Sequence, residues 1–232
     1  MISVAVVRFP GSNCDLDAVQ ALRTLKGVRG DLVWHEDGSI STYDAVVLPG
    51  GFSFGDFLRG GAIAARSPAV RRVSALAERG VPVLGICNGF QVLIESGLLP
   101  GSLLRNASLR FVCRWVTVRV ERGDTPFTEG LEGRVLRLPI AHNEGRYFIA
   151  PKALRSLESA RMVPLRYCDE AGERTSSSNP TGTVRNIAGV CNVRGNVLGL
   201  MPHPERAAEA ILCPSGSPDG ASIFQSMLRS LN

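Results

Sequence analysis

Apolar residues run along this chain in short dense blocks that alternate with helical periodicities. Residues 2–9 (Ile-Ser-Val-Ala-Val-Val-Arg-Phe) form a nearly continuous β-branched block, the pattern of a strand covered on both faces in a parallel sheet. Ala18, Leu22 and Leu25 then recur on one helical face, with Asn13 or Asp15 available as a cap and Gly27 as a stop. Short strands are predicted over 31–35 and 44–49. Ser67-Pro68 combines a favoured cap with a first-turn proline and opens a helix that Gly80 closes. A strand over 82–86 leads into a helix from Asn88 to about Ser96.

This β–α alternation predicts an α/β fold: a doubly wound, mostly parallel sheet with helices on both faces. Beyond Pro100-Gly101 the pattern changes to longer strands over 111–121 and 134–140, which read as an antiparallel extension of the same sheet. Residues 169–183 are polar and rich in turn formers, a surface loop or hairpin. Strands over 187–193 and 197–201 and a helix from about Asp219 end the chain, so residues 1–232 are expected to form one domain.

Composition narrows the function classes. The six cysteines (Cys14, Cys87, Cys113, Cys168, Cys191, Cys213) lack CxxC spacing, and the first residues lack a basic leader, so neither a disulfide framework nor a zinc site is expected. The first apolar run is cut by Pro10-Gly11, too early for a signal peptide or a membrane span, and a cytoplasmic protein is expected. The net charge is +5, but the basic residues are dispersed and do not interleave with aromatics, so no nucleic-acid partner is expected. Neither lysine, Lys26 or Lys152, sits in a phosphate-binding P-loop.

Three short stretches carry candidate chemistry. Gly85-Ile86-Cys87-Asn88-Gly89 has the form of a nucleophile elbow with sulfur at its centre, placed where a strand gives way to a helix. Glycine on either side removes a β-carbon from a crowded turn, and the helix N-terminus favours a thiolate. Leu48-Pro49-Gly50-Gly51-Phe52 follows another strand, and its Gly51 N–H, together with the Asn88 N–H, forms a candidate oxyanion hole. In Met201-Pro202-His203-Pro204-Glu205 the prolines favour extended backbone, which puts His203 and Glu205 on one face as a base and its orienting carboxylate. His142 competes for the role of base but lacks the proline frame, and His35 reads as structural or surface. A packed, inert Cys87 in a flavodoxin-like binding module is the alternative from a different class.

With these motifs the chain resembles the glutaminase subunits of phosphoribosylformylglycinamidine synthase, within the class I (triad) glutamine amidotransferases. The resemblance rests on Gly50-Gly51-Phe52-Ser53-Phe54-Gly55-Asp56-Phe57-Leu58-Arg59, Gly85-Ile86-Cys87-Asn88-Gly89-Phe90-Gln91, Pro139-Ile140-Ala141-His142, Asn179-Pro180-Thr181-Gly182-Thr183 and His203-Pro204-Glu205. It implies that Cys87 attacks the side-chain amide of L-glutamine, that His203 and Glu205 complete the triad, and that Gln91 and Phe52 contact bound glutamine. It implies no cofactor in this chain: ammonia passes to a large synthase subunit that binds ATP and Mg²⁺, with a small third subunit joining the parts. A subunit serving another synthetase is the nearest alternative. Asn143 stands where glycine is expected in many relatives, a replacement that a left-handed backbone tolerates.

Overall fold

The computed structural model describes residues 1–231. β1 (Ile2–Arg8) leads through α1 (Asp15–Arg23) to β2 (Val28–Trp34), and β3 (Ala45–Leu48) through α2 (Pro68–Glu78) to β4 (Val83–Ile86). α3 (Asn88–Glu95), β5 (Ser102–Leu104), β6 (Val112–Val120), β7 (Val135–His142) and β8 (Arg146–Phe148) come next. The chain continues with α4 (Pro151–Ser159), β9 (Leu165–Cys168), β10 (Ile187–Cys191), β11 (Val197–Leu200) and α5 (Ala221–Arg229). Nine strands make one sheet in the order β2-β1-β3-β4-β11-β10-β9-β6-β7, and β5 pairs with β8 apart from it. Pairing is parallel from β2 to β11 and antiparallel from β11 to β7. That is the wound sheet with an antiparallel extension that the hydrophobic pattern predicts. Among the described residues no helix is long and apolar enough to cross a membrane.

Burial explains the patterns. Every residue of β3, β4 and β11 is buried, hence their unbroken apolar runs, whereas β7 alternates half-buried and buried positions along its length. Ser67 caps α2 as expected, its side chain accepting from the Val70 N–H, with Pro68 in the first turn. The cap of α1 is neither Asn13 nor Asp15 but Cys14, without a side-chain capping bond; the Asp15 carboxylate is drawn away to Arg8. Thr24, not Gly27, is the C-cap of that helix, and Gly27 (φ 79°) turns the chain into β2.

Two glycines fix how closely α3 lies on the sheet. A β-carbon on Gly85 would run into Leu93 Cδ1 and stand 2.7 Å from Gly89 O, and one on Gly89 would land on the Leu48 carbonyl. Neither residue has a positive φ, so the demand is for space rather than for a left-handed backbone. Gly89→Ala should therefore destabilise the protein by about 3 kcal/mol, because backbone rather than a pliable side chain must move. A fall in the urea midpoint at unchanged m-value is the expected reading.

Candidate active site

Cys87 sits at the turn from β4 into α3 with φ 51° and ψ −104°, a conformation that side chains other than glycine seldom adopt. The turn holds because the Cys87 N–H donates to Leu200 O on β11, while Cys87 O accepts from the Phe90 and Gln91 N–H groups. One turn of helix is thereby nucleated directly after the cysteine, and the Asn88 N–H, too early for an intrahelical bond, meets no protein acceptor among the described residues.

The loop after β3 is pinned from below. Asn13 and Cys14 N–H groups donate to Gly50 O, and the Phe52 N–H donates to Gly11 O. Gly51, at φ 142°, would bring a β-carbon to 2.6 Å from Asn13 N, so only glycine fits, and its N–H is also without a protein acceptor among the described residues. Gly50 leaves room for the imidazole of His203, whose Cε1 would lie 2.8 Å from an added β-carbon. The two N–H groups expected to form an oxyanion hole, those of Gly51 and Asn88, are thus both without a protein acceptor among the described residues.

His203 is anchored by its N–H to Pro139 O at 2.8 Å, and its Nδ1 lies 2.6 Å from Glu205 Oε1, with the two side chains 2% and 0% exposed. The pair meets by a different route from the expected extended stretch: His203 is extended, but Pro204–Ala207 closes into a 3-10 turn that swings Glu205 back beneath the ring. Burial alone would push the imidazolium down, yet the charges of Glu205 and then Cys87, with Cys14 also beside the ring, hold His203 well above its ordinary value. Among the described residues His203 Nε2 has no partner within hydrogen-bonding geometry.

A cavity of about 460 Å³ opens over these groups, walled by Cys87, His203, Gly51, Phe52, Gln91 and His142 among others. Phe52 is half exposed at its rim. Asn88 is the hub beneath it: Oδ1 accepts from the Ser53 N–H at 3.2 Å, and Nδ2 donates to Asp56 Oδ1 at 3.1 Å and to Gln91 Oε1 at 2.8 Å. Gln91 Nε2 in turn donates to Glu144 O at 3.1 Å, so most of its amide is engaged by the protein. His142 is buried in the wall, and burial, then the nearby His203 charge, pushes it down to about 3. That low value makes it a weak base, and among the described residues neither of its ring nitrogens has the orienting carboxylate that His203 has in Glu205. His35 is structural: it packs among Phe9, Trp34 and Phe54 and so holds the loop that carries Phe52. Asn143 does not adopt a positive φ, so the left-handed backbone expected there is not required.

Reading the motifs alone overlooks Cys14, Arg206, Asp56 and Glu144, all in the same cavity wall. The signal for Cys14 is its place just past the carboxyl end of β1, the edge where ligands collect in such sheets. Cys14, His203 and Glu205 bring S, N and O donors within 4.8 Å of one another, a set that suits a metal. Arg206 Nη2 instead lies 3.1 Å from Cys14 Sγ, so a cation already stands beside that sulfur.

The arrangement sets a cysteine, an imidazole with its carboxylate and the Gly51 loop around one cavity, with the Asn88 N–H next to the cysteine in sequence, and groups of these types are the ones acyl transfer from an amide needs. Residues 1–229 match the family described as CobB/CobQ-like glutamine amidotransferase domain. Phosphoribosylformylglycinamidine synthase subunit PurQ of Thermomicrobium roseum is 54% identical over 225 residues, covering 97% of this chain and 94% of that protein. The PurQ subunit of Aquifex aeolicus is 53% identical over 225 residues, covering 97% and 98%. Among solved structures, PurLQS from Thermotoga maritima superposes with a TM-score of 0.85 at 45% identity, covering all of this chain and 99% of that one. A glutamine amidotransferase from Thermotoga maritima superposes at 0.59 with 16% identity, covering 99% and 97%, and shares the fold alone. With the match running from Met1 to Arg229, this chain belongs to the CobB/CobQ-like glutamine amidotransferase family.

Proposed function

We propose that this chain is the glutaminase subunit of a phosphoribosylformylglycinamidine synthase, acting in purine biosynthesis. The observation that carries the reading is the strained Cys87 elbow facing the same cavity as the His203–Glu205 pair, in a chain about half identical to PurQ subunits along nearly its whole length.

In this reading Cys87 Sγ attacks the side-chain carbonyl carbon of L-glutamine, and the oxyanion is received by the Gly51 and Asn88 N–H groups. His203, held charged by Glu205, gives its proton to the amide nitrogen, and ammonia leaves with a γ-glutamyl thioester on Cys87. Neutral His203 then takes a proton from water, which attacks the thioester, and glutamate departs as the thiol is restored. Phe52 at the rim would pack on the bound substrate, and Gln91 keeps one N–H for it.

Ammonia would pass to a large ATP- and Mg²⁺-binding synthase subunit, with a small third subunit completing the complex; the Thermotoga maritima relative solved as PurLQS supports an assembly of this kind. Exposed Phe57 and Leu58, beside an Arg59 forked onto Glu95, are the candidate contact for that large subunit. A cytoplasmic location fits the same reading.

The reading is tested by labelling with a diazo-ketone glutamine analogue and locating the adduct by peptide mass spectrometry, with and without a large synthase subunit. One adduct on Cys87, prevented by glutamine, is expected. An adduct on Cys14 instead, or none in either state, would overturn it.

A further inference from the structure

The cavity holds two carboxylates that no step above employs. Asp56 comes from the loop after β3 and Glu144 from the turn after β7, and both stand in the wall with Cys87. Asp56 is aimed there by unusual backbone: Phe54, Gly55 and Asp56 have φ of 53°, 68° and 53° in succession. Packing of Phe54 against His35 and Phe9 keeps that run in place. The Asn88 amide fixes Asp56 Oδ1 at 3.1 Å. Among the described residues neither carboxylate has a salt-bridge partner, and the one arginine in the wall, Arg206, is committed to Asp17 and Cys14. Burial, then repulsion from Glu144, pushes Asp56 up to about 6, as for a carboxylate whose cation is missing.

A second observation at the same wall points to a ligand. His142 is 4% exposed, and among the described residues its Nδ1 and Nε2 both lack any partner. Buried polar atoms are rarely left unmatched, and here two of them share one ring beside the cavity. Its neutral state leaves one nitrogen to donate and the other to accept.

L-Glutamine carries one ammonium, and its amide must lie at Cys87. We propose that Asp56, oriented by Asn88 and supported by Glu144, is the specificity-determining residue that receives the α-ammonium of the substrate, with His142 as a hydrogen-bonding wall to the same ligand. The inference rests on the glutaminase reading above. It also explains why the Gln91 amide can be tied to Asn88 and Glu144: the charged end of the substrate has its own counter-ion.

The test compares L-glutamine with glutaramate, which keeps the amide and the carboxylate but lacks the ammonium, in the complex reconstituted with a large synthase subunit. Asp56→Asn can still accept from Asn88, so the loop is preserved while the charge is removed. It should raise KM for L-glutamine about 10- to 100-fold with kcat within about threefold, and leave kcat/KM for glutaramate unchanged. The preference for the amino acid should shrink by the same factor, and Asp56→Glu should restore part of it. Equal losses on both compounds would make Asp56 a structural residue, and no change on either would remove it from recognition; both overturn the proposal while the glutaminase reading stands. A wild-type complex that hydrolyses no glutamine would instead overturn that reading, and this proposal with it.

Discussion

Replacing Cys87 with alanine is expected to reduce glutamine-dependent turnover of the assembled synthase by about 10⁴-fold or more, while synthesis driven by added ammonia continues at close to the wild-type rate. The split follows from the geometry. The Gly51 and Asn88 N–H groups proposed to receive the oxyanion belong to the backbone and survive the substitution, but without sulfur the proposed thioester route is closed, and only the residual catalysis that such donors and binding give is left. Ammonia supplied from solution bypasses this cavity. A paired variant separates chemistry from strain: Cys87 holds φ 51° and ψ −104°, which alanine must also adopt and glycine adopts freely. Cys87→Gly should be as inactive as Cys87→Ala yet more stable, by about 1 kcal/mol, in urea unfolding. Retained glutamine use in either variant would remove Cys87 as the nucleophile.

The parts of this molecule legible in its sequence are those in which one physical demand acts alone. β3, β4 and β11 are buried on all sides, so their composition is apolar and their places can be read directly. The elbow and the paired glycines are legible because close packing tolerates only glycine at Gly51, Gly85 and Gly89. β9 is hidden by Arg166, a buried arginine in the middle of the strand that is balanced by Glu158 and the Arg185 carbonyl, partners remote in sequence. α4 shows only Leu154 and Leu157 as buried anchors, too few for a helical period to stand out. β5 and β8 are three residues each and exist only by pairing with one another. The same holds at the site. His203 and Glu205 are two residues apart and could be paired on inspection, whereas Cys14–Arg206 and the links of α3 residues Asn88 and Gln91 to Asp56 and Glu144 join segments that only the folded sheet brings together.

Glu205→Gln should lower glutamine hydrolysis by about 10²- to 10⁴-fold and pull the alkaline limb of the pH–rate profile down toward neutrality. Glu205 Oε1 lies 2.6 Å from His203 Nδ1 in a nearly water-free setting, and its charge is the main force opposing the burial that would otherwise deprotonate the imidazolium. With glutamine in its place, the influence of Cys87 and Cys14 beside the ring remains, but the largest favourable contribution is gone. His203 then loses its proton at a lower pH, and with it the acid that frees ammonia. Stability moves the same way. In the wild type the folded state binds this proton more tightly than the unfolded chain does, so the stabilisation is fully present below the ordinary histidine value and is lost as pH rises through the raised one. The variant should lack that alkaline loss: urea midpoints of the two proteins should converge as pH rises, the wild type holding its advantage at neutral pH and below. Glutamine cannot leave a buried carboxylate unpaired, so the substitution should cost less than His203→Ala, which strands Glu205 without its cation. An alkaline limb that stays where it is in Glu205→Gln would mean that a group other than this carboxylate sets the protonation of His203.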